Sequence, residues 1–247
     1  MFGLQTLCQL KGIEFPNLGL PHFKYQFKGL ARSLSYTTRR AHPLSPEILE
    51  KIFSILDFTD PLHSTMWSIM LLGFLLFSRI GNLLPKSLKS LDKKKLITRS
   101  DVFVANDCIV VQLSWTKTIQ TSERVLQIPL YASDSQLFPK LAILHAISLS
   151  PGQASDLLFS YLTLSGLVPV TQSQFILFLR NCLKHLGFDQ SLFSGHSLRR
   201  GGASCAFNKG VPSELIKAHG DWKSDSYMVY LQFSLCDRLS TTRTMLD

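Results

Sequence analysis

The most chemically loaded stretch of the sequence is Gly195-His196-Ser197-Leu198-Arg199-Arg200-Gly201-Gly202-Ala203-Ser204. A histidine and an arginine stand three apart, so on a helix both project from one face. A guanidinium offers a fork of N–H donors to two non-bridging phosphate oxygens, and a histidine can hydrogen-bond the same group. His196 and Arg199 therefore read as a phosphate clamp, against the plainer alternative of a surface His–Arg pair at a helix start. The two glycines and two small residues behind them leave space for another backbone or side chain to come close. A second concentration follows from Ile216 to Tyr230, with His219, Asp221, Trp222, Tyr227 and Tyr230 in one short run.

The order of these features is a His-x-x-Arg box, a glycine-centred turn carrying His or Trp, and then a tyrosine. It resembles the C-terminal signature of the tyrosine recombinases, the phage integrase-like enzymes. The wording HGDWKSDSYMVYL is similar to recombinases of eukaryotic mobile elements of the DIRS-like and Crypton-like kinds. Tyr230 falls 31 residues after Arg199, in keeping with that family. The resemblance extends over about Pro43 to Phe233 and draws in two motifs upstream. Phe77-Ser78-Arg79-Ile80-Gly81-Asn82-Leu83-Leu84 matches the family's first arginine box and supplies Arg79. Ser114-Trp115-Thr116-Lys117-Thr118-Ile119-Gln120 lies in an expected β turn, where the family places its catalytic lysine, and supplies Lys117.

The resemblance implies a catalytic set of Arg79, Lys117, His196, Arg199, Trp222 and Tyr230. A phenol that attacks a phosphodiester builds negative charge on the phosphate oxygens. With no metal-binding motif visible in the sequence, cationic side chains would have to stabilise that charge. Arg79 and Arg199 would grip the non-bridging oxygens, and Tyr230 would become covalently linked to phosphorus through a 3′-phosphotyrosine bond. Lys117 would protonate the departing sugar hydroxyl while His196 assists proton transfer. Because the covalent link conserves the bond energy, no cofactor is expected.

Some positions depart from the family pattern. Asn82 stands where the family often has an acid, which would weaken the orientation of Arg79. The position before the tyrosine could be His219, Asp221 or Trp222. Trp222 is preferred because an indole N–H can donate to phosphate whereas a carboxylate would repel it, with a packing aromatic as the alternative. Tyr227, one helical turn before Tyr230, is the rival nucleophile; otherwise it packs against the helix of Ile216. Arg79 could equally snorkel from a buried helix end, and Lys117 could be a solvated turn lysine.

With 26 Lys and Arg against 17 Asp and Glu, the chain carries nine net positive charges, which suits a polyanion. Double-stranded DNA is the implied partner, with self-association into a tetrameric synapse implied by the family. An evenly spread solubility charge is the other reading. Arg39 and Arg40, with Arg32, could contact DNA backbone, and Lys93-Lys94-Lys95 is a further candidate phosphate contact. Five scattered cysteines without C-x-x-C spacing argue against a zinc site or disulfide framework and fit a reducing compartment. The longest apolar run, Met66 to Phe77, is too short to span a bilayer, and no secretory signal opens the sequence. A nuclear location follows from the mobile-element resemblance. The competing functions are a non-catalytic DNA-binding protein or decayed fragment of such a recombinase, and a type IB topoisomerase. The wording around His196 and Trp222 disfavours the topoisomerase.

The elements that would carry these residues can be placed from pattern. Residues 1–42 read as a partial helical segment and basic linker, with one amphipathic helix over Phe23 to Ser35, and residues 43–247 as the catalytic domain. Ser45-Pro46-Glu47 opens a helix, and a buried helix covers about Pro61 to Ser78. Cys108 to Ser114 and Glu123 to Leu130 form a hairpin. Helices return at Gln136 to Leu149 and, after a Pro-, Gly- and Ser-rich loop, behind a Thr171–Gln174 capping box. Shorter helices cover Ser197 to Asn208, Ser213 to Ala218 and Ser224 to Phe233. The expected class is α+β, mainly helical, with one small antiparallel sheet.

Overall fold

A computed structural model describes residues 2–15, 17, 18, 20–33, 41–105, 107–116, 118, 119, 124–131, 136–231 and 243. The chain divides into two compact units, Met1–Arg40 and Ala41–Asp247. The first holds α1 (Phe2–Leu10), which the sequence pattern did not suggest, and α2 (Pro21–Ser33). Among the described residues of this unit, Leu7, Leu10, Tyr25, Phe27 and Leu30 are exposed.

The second unit is α+β, as expected. Its first helix, α3 (Pro46–Phe53), begins where Ser45 accepts a hydrogen bond from the Ile48 N–H at 3.4 Å and proline occupies the first turn. The central helix is α4 (Pro61–Leu75). Asp60 caps it by accepting from Leu62 N at 2.7 Å, and every residue from Ser64 to Phe74 is buried. A helix apolar on all sides needs partners all round. Here they come from α6 (Pro139–Leu149), from α8 (His196–Asn208) and from β4 (Ser160–Thr163), with the short α5 (Ile80–Leu83) following in the chain.

The anticipated hairpin is β2 (Cys108–Leu113) against β3 (Leu126–Tyr131), and β1 (Val102–Val104) adds a third antiparallel strand. Ile109, Val111 and Leu113 lie opposite Leu130, Ile128 and Leu126, so the register puts one apolar face of β2–β3 toward the core. Where the sequence suggested only loop before α7 (Gln172–His185), β4 pairs with β5 (Gly166–Pro169) in a second antiparallel hairpin. Gly166 (φ +112°) closes its turn, so the glycine marks a hairpin and not an irregular linker. Thr171 accepts from Gln174 N at 3.4 Å, but the Gln174 side chain donates to Tyr161 Oη at 2.9 Å and does not close the capping box.

After α9 (Ser213–His219) the described part of the stretch from Ser224 to Phe233, which ends at Leu231, does not form the expected α-helix. Asp225–Tyr230 is a 3-10 turn, with Leu231 N bonded to Met228 O at 3.1 Å. Among the described residues no helix is long and apolar enough to cross a membrane.

Candidate active site

The site is assembled around Arg199, on the second turn of α8 and only 2% exposed. Close approach of backbones buries it. A Cβ at Gly201 would fall on the Leu44 carbonyl, and one at Gly202 would strike the Phe74 carbonyl and the Phe77 ring. The two glycines thus let α8 lie against α4 and the Leu44 segment at a separation no larger residue permits.

Two helix ends supply the socket for the guanidinium. At the end of α4, Phe77 N bonds Phe74 O (3.3 Å) and Ser78 N bonds Gly73 O (3.1 Å). This is a Schellman ending with Phe77 in the left-handed position at φ 45°. It also stops α4 at Leu75, three residues short of the expected end. At the end of α9, Asp221 N bonds Ala218 O and Trp222 N bonds Lys217 O, both at 3.1 Å, with Asp221 at φ 52°. The first ending turns the Phe77 carbonyl onto Arg199 Nη1, and the second presents the Gly220 carbonyl to Nη2 at 2.9 Å. Both carbonyls sit at helix C-termini, where the backbone dipole favours a cation.

The remaining faces of Arg199 are aromatic and charged. Its guanidinium carbon lies 3.7 Å from the centre of the Trp222 ring. Trp222 is buried among Phe77, Tyr227 and Tyr230, with ring centres 5.9 to 6.2 Å away. Burial first, and then the charge of Arg79, pull the Arg199 pKa down to about 9. The Tyr230 phenol and the Asp221 carboxylate act in the opposite sense. Arg199 therefore remains a cation at neutral pH. His196 opens α8 at the rim and is exposed. Desolvation of its inner side, then the charges of Arg199 and Arg79, hold its pKa below the ordinary histidine value.

Arg79 precedes α5 and is half-buried. Its segment is fixed by Gln172, which donates from Nε2 to Leu84 O (2.9 Å) and from its backbone N–H to Pro85 O (3.0 Å). It is also fixed by Gly195, where a Cβ would come within 2.7 Å of Ile80 Cγ2. Asn82 is buried nearby and carries no charge. Tyr230 is half-buried and sits under Arg200, whose guanidinium carbon is 5.6 Å from its ring centre. The Tyr230 carbonyl accepts from Ser204 Oγ at 2.7 Å, tying the 3-10 turn to α8. Tyr227, by contrast, is 5% exposed and packs with Ile216 and Trp222 in a small apolar cluster.

The structure thus brings Arg79, His196, Arg199, Trp222 and Tyr230 to one place. Lys117, Arg39 and Arg40 lie outside the described residues. His219 is turned away: its Nε2 donates to Leu75 O at 2.7 Å, its ring packs at a tilt against Phe77 with centres 4.7 Å apart, and burial lowers its pKa. Asp221 is engaged with Thr116, Thr118 and Arg124. No residue pattern in the sequence pointed to that cluster, because its members are about a hundred positions apart. Among the described residues no group of three His, Cys, Asp or Glu is arranged to hold a metal ion.

A XerH site-specific recombinase bound to difH substrate superposes on this chain with a TM-score of 0.58 at 15% identity, over 86% of this chain and 56% of its own. XerA recombinase matches at 0.54 and 13% identity, over 98% and 72%. A lambda integrase dimer bound to a core site matches at 0.54 and 15%, over 83% and 50%. The fold is that of a tyrosine recombinase catalytic domain. No family model matches the sequence, and no curated protein matches it. The chain spans about half the length of the XerH structure, and at these identities the likeness to tyrosine recombinases is one of fold.

Proposed function

We propose that this chain binds double-stranded DNA and breaks and rejoins it through a covalent bond between Tyr230 and a backbone phosphate. The observation that carries the reading is the buried Arg199 cation, bordered by Arg79, His196 and the Tyr230 phenol on a tyrosine recombinase fold. In the proposed step a bond forms between the phenolic oxygen and phosphorus while the bond from phosphorus to the 5′ sugar oxygen breaks. Lys117 gives its proton to the departing oxygen, and His196, kept neutral, assists removal of the phenolic proton. Arg79 and Arg199 balance the charge gathering on the non-bridging oxygens.

Tyr230 is assigned as nucleophile over Tyr227 because its ring is the less buried and borders Arg199 and Arg200. Trp222 is assigned a supporting part, holding the plane of Arg199 by stacking. The reading extends to assembly on DNA as a tetrameric synapse and to a nuclear, mobile-element origin of the DIRS-like or Crypton-like kind. The support for that origin is the wording of residues 219–231. Arg39 and Arg40 are assigned to backbone contact.

A nicked duplex that releases a short fragment after cleavage tests the reading by trapping the covalent adduct. The wild-type chain should form it, Tyr230→Phe should not, and Tyr227→Phe should retain it. Salt-sensitive DNA binding without any wild-type adduct would instead establish a non-catalytic DNA-binding protein.

A further inference from the structure

Arg200 follows Arg199 directly in α8, yet its guanidinium is engaged inside the protein. It is 7% exposed, its Nη1 donates to the Ala41 carbonyl, and its guanidinium carbon lies 5.6 Å from the centre of the Tyr230 ring. A guanidinium held over a ring face within about 6 Å of its centre is attracted to it. Consecutive helical residues do not share a face, so Arg199 and Arg200 serve different partners. Ser204, four positions on, does share a face with Arg200, and its hydroxyl donates to the Tyr230 carbonyl at 2.7 Å. One face of α8 therefore holds Tyr230 twice, by its backbone and by its ring.

Tyr230 has need of such support. It ends a 3-10 turn in which Met228 and Val229 are exposed, so no long helix sets its direction. Its ring is half-buried, with the centre of the Trp222 ring 5.9 Å away. A phenol that attacks phosphorus must stand in line behind the phosphate, and a ring free to turn is seldom there. Arg200 is itself well held, because Ala41 opens a segment bound along the start of α8. His42 N donates to Leu192 O at 2.7 Å and Leu44 N donates to Ser197 O at 3.0 Å. Gly201 admits the Leu44 backbone to the same face of the helix, where a Cβ would collide with it.

We propose that Arg200 is a positioning residue for the nucleophile: its buried cation, moored to Ala41, holds the Tyr230 ring in place beside Arg199. This rests on the strand-cleavage reading above. As the phenolic proton leaves, electron density on the ring rises and the pull of the cation on its face grows. The contact therefore favours the attacking state over the resting one. Arg200 acts through Tyr230 and does not touch phosphate.

The test measures single-turnover adduct formation at saturating concentrations of a nicked duplex with randomised flanks. Arg200→Lys keeps a cation with an N–H donor and should stay within about threefold of wild type. Arg200→Met keeps the bulk without the charge, and Arg200→Gln keeps a donor for Ala41 without the charge. Both should be slower by about tenfold or more, the size of a desolvated contact between a cation and a ring. Space filling alone would be rescued by Met, and a tie to Ala41 alone by Gln. Either rescue, or a Lys variant no faster than these two, overturns the proposal. The slope of log affinity against log salt should be the same in wild type and all three variants. A slope lowered by about 0.9 would place Arg200 on the DNA backbone and refute its action through Tyr230.

Urea unfolding provides a readout independent of activity. Tyr230→Leu removes the ring, and it should change the unfolding equilibrium about two- to fivefold less in an Arg200→Met background than in wild type. Equal changes in the two backgrounds refute the contact. If the wild-type chain forms no adduct, the strand-cleavage reading and the catalytic half of this proposal both fall, and the urea comparison alone decides whether Arg200 holds the ring.

Discussion

The carbonyl oxygen of Phe77 accepts a hydrogen bond from Nη1 of Arg199, at a residue whose backbone is left-handed. Elsewhere in the same unit, α7 and α8 end in similar turns, and there the left-handed residues are Gly187 (φ +81°) and Gly210 (φ +80°). Among the described residues, a non-glycine takes that role only at the Arg199 socket, where Phe77 and Asp221 do so. The left-handed conformation costs a residue with a Cβ roughly 1–2 kcal/mol. The two strained turns sit where helix ends must give carbonyls to one cation, the kind of place where strain is retained for a purpose.

Arg199 should accordingly resist conservative replacement. Arg199→Lys keeps a charge but cannot satisfy both carbonyls, stack on Trp222 and grip phosphate at once. Adduct formation should fall on the order of 100-fold or more, with DNA affinity much less affected. Arg199→Ala strands two buried carbonyls, at roughly 1–3 kcal/mol each. Urea unfolding should register that loss; a variant as stable as wild type would contradict the socket.

Gly202→Ala should damage the same site through packing. The added methyl would meet the Phe74 carbonyl and the Phe77 ring, neither of which can swing away freely. Overpacking of this kind costs about 1–3 kcal/mol, and displacement of Phe77 moves one of the Arg199 acceptors. Denaturant midpoint and adduct yield should drop together. Gly29→Ala, where a Cβ meets nothing within 4 Å, is the control that should change neither.

How much of this was legible in the residues themselves depended on the range of the signal. Ser45 and Thr171 act within their own helices, so α3 and α7 followed from their caps and α4 from its buried apolar run, whereas the Asp60 cap was not read. The β2–β3 pairing followed from the β-branched run Cys108 to Ser114 and the alternation of Glu123 to Leu130. The fold class and the gathering of Arg79, His196, Arg199 and Tyr230 were expected from motif order. The end of α4 was not, because a left-handed phenylalanine contradicts local propensity and is held by Gly73 and Phe74 contacts made on folding. The β4–β5 hairpin was hidden because Pro, Gly and Ser around it suggest loop when Gly166 is read without its pairing partners. The cluster of Asp221 with Thr116 and Arg124 had no local signature at all.

Lys93, Lys94 and Lys95 line a polar cavity of about 230 Å³ with Asn82, Gln112, Ser114 and Trp115. Lys95 is already ion-paired with Asp92 at 2.9 Å, which leaves Lys93 and Lys94 better placed to meet phosphate. Each phosphate contact contributes about 0.9 to the slope of log affinity against log salt. Replacing Lys93 and Lys94 by Gln should lower that slope by close to two such contacts across all sequences tested. An unchanged slope would assign these lysines to solvent.

The pH dependence should carry two separate signatures. Arg199 has its pKa drawn down to about 9, so its charge is present below that value and lost as pH rises through it. The rate of adduct formation should therefore decline on the alkaline side at about pH 9, well before an ordinary arginine would titrate. On the acid side, His196 and His219 both lie below the usual histidine value in the folded chain. Just below pH 6.5 the unfolded chain then binds more protons than the folded one, so acidification through that range destabilises the fold. For His219 the cause is burial beside Phe77 with its N–H committed to Leu75 O. Urea titrations at pH 7 and pH 5.5 should show this loss in the wild type and a smaller one in His219→Gln, which has no imidazole to protonate. If that variant keeps the full acid sensitivity, the destabilising proton binds elsewhere and His219 is not its site.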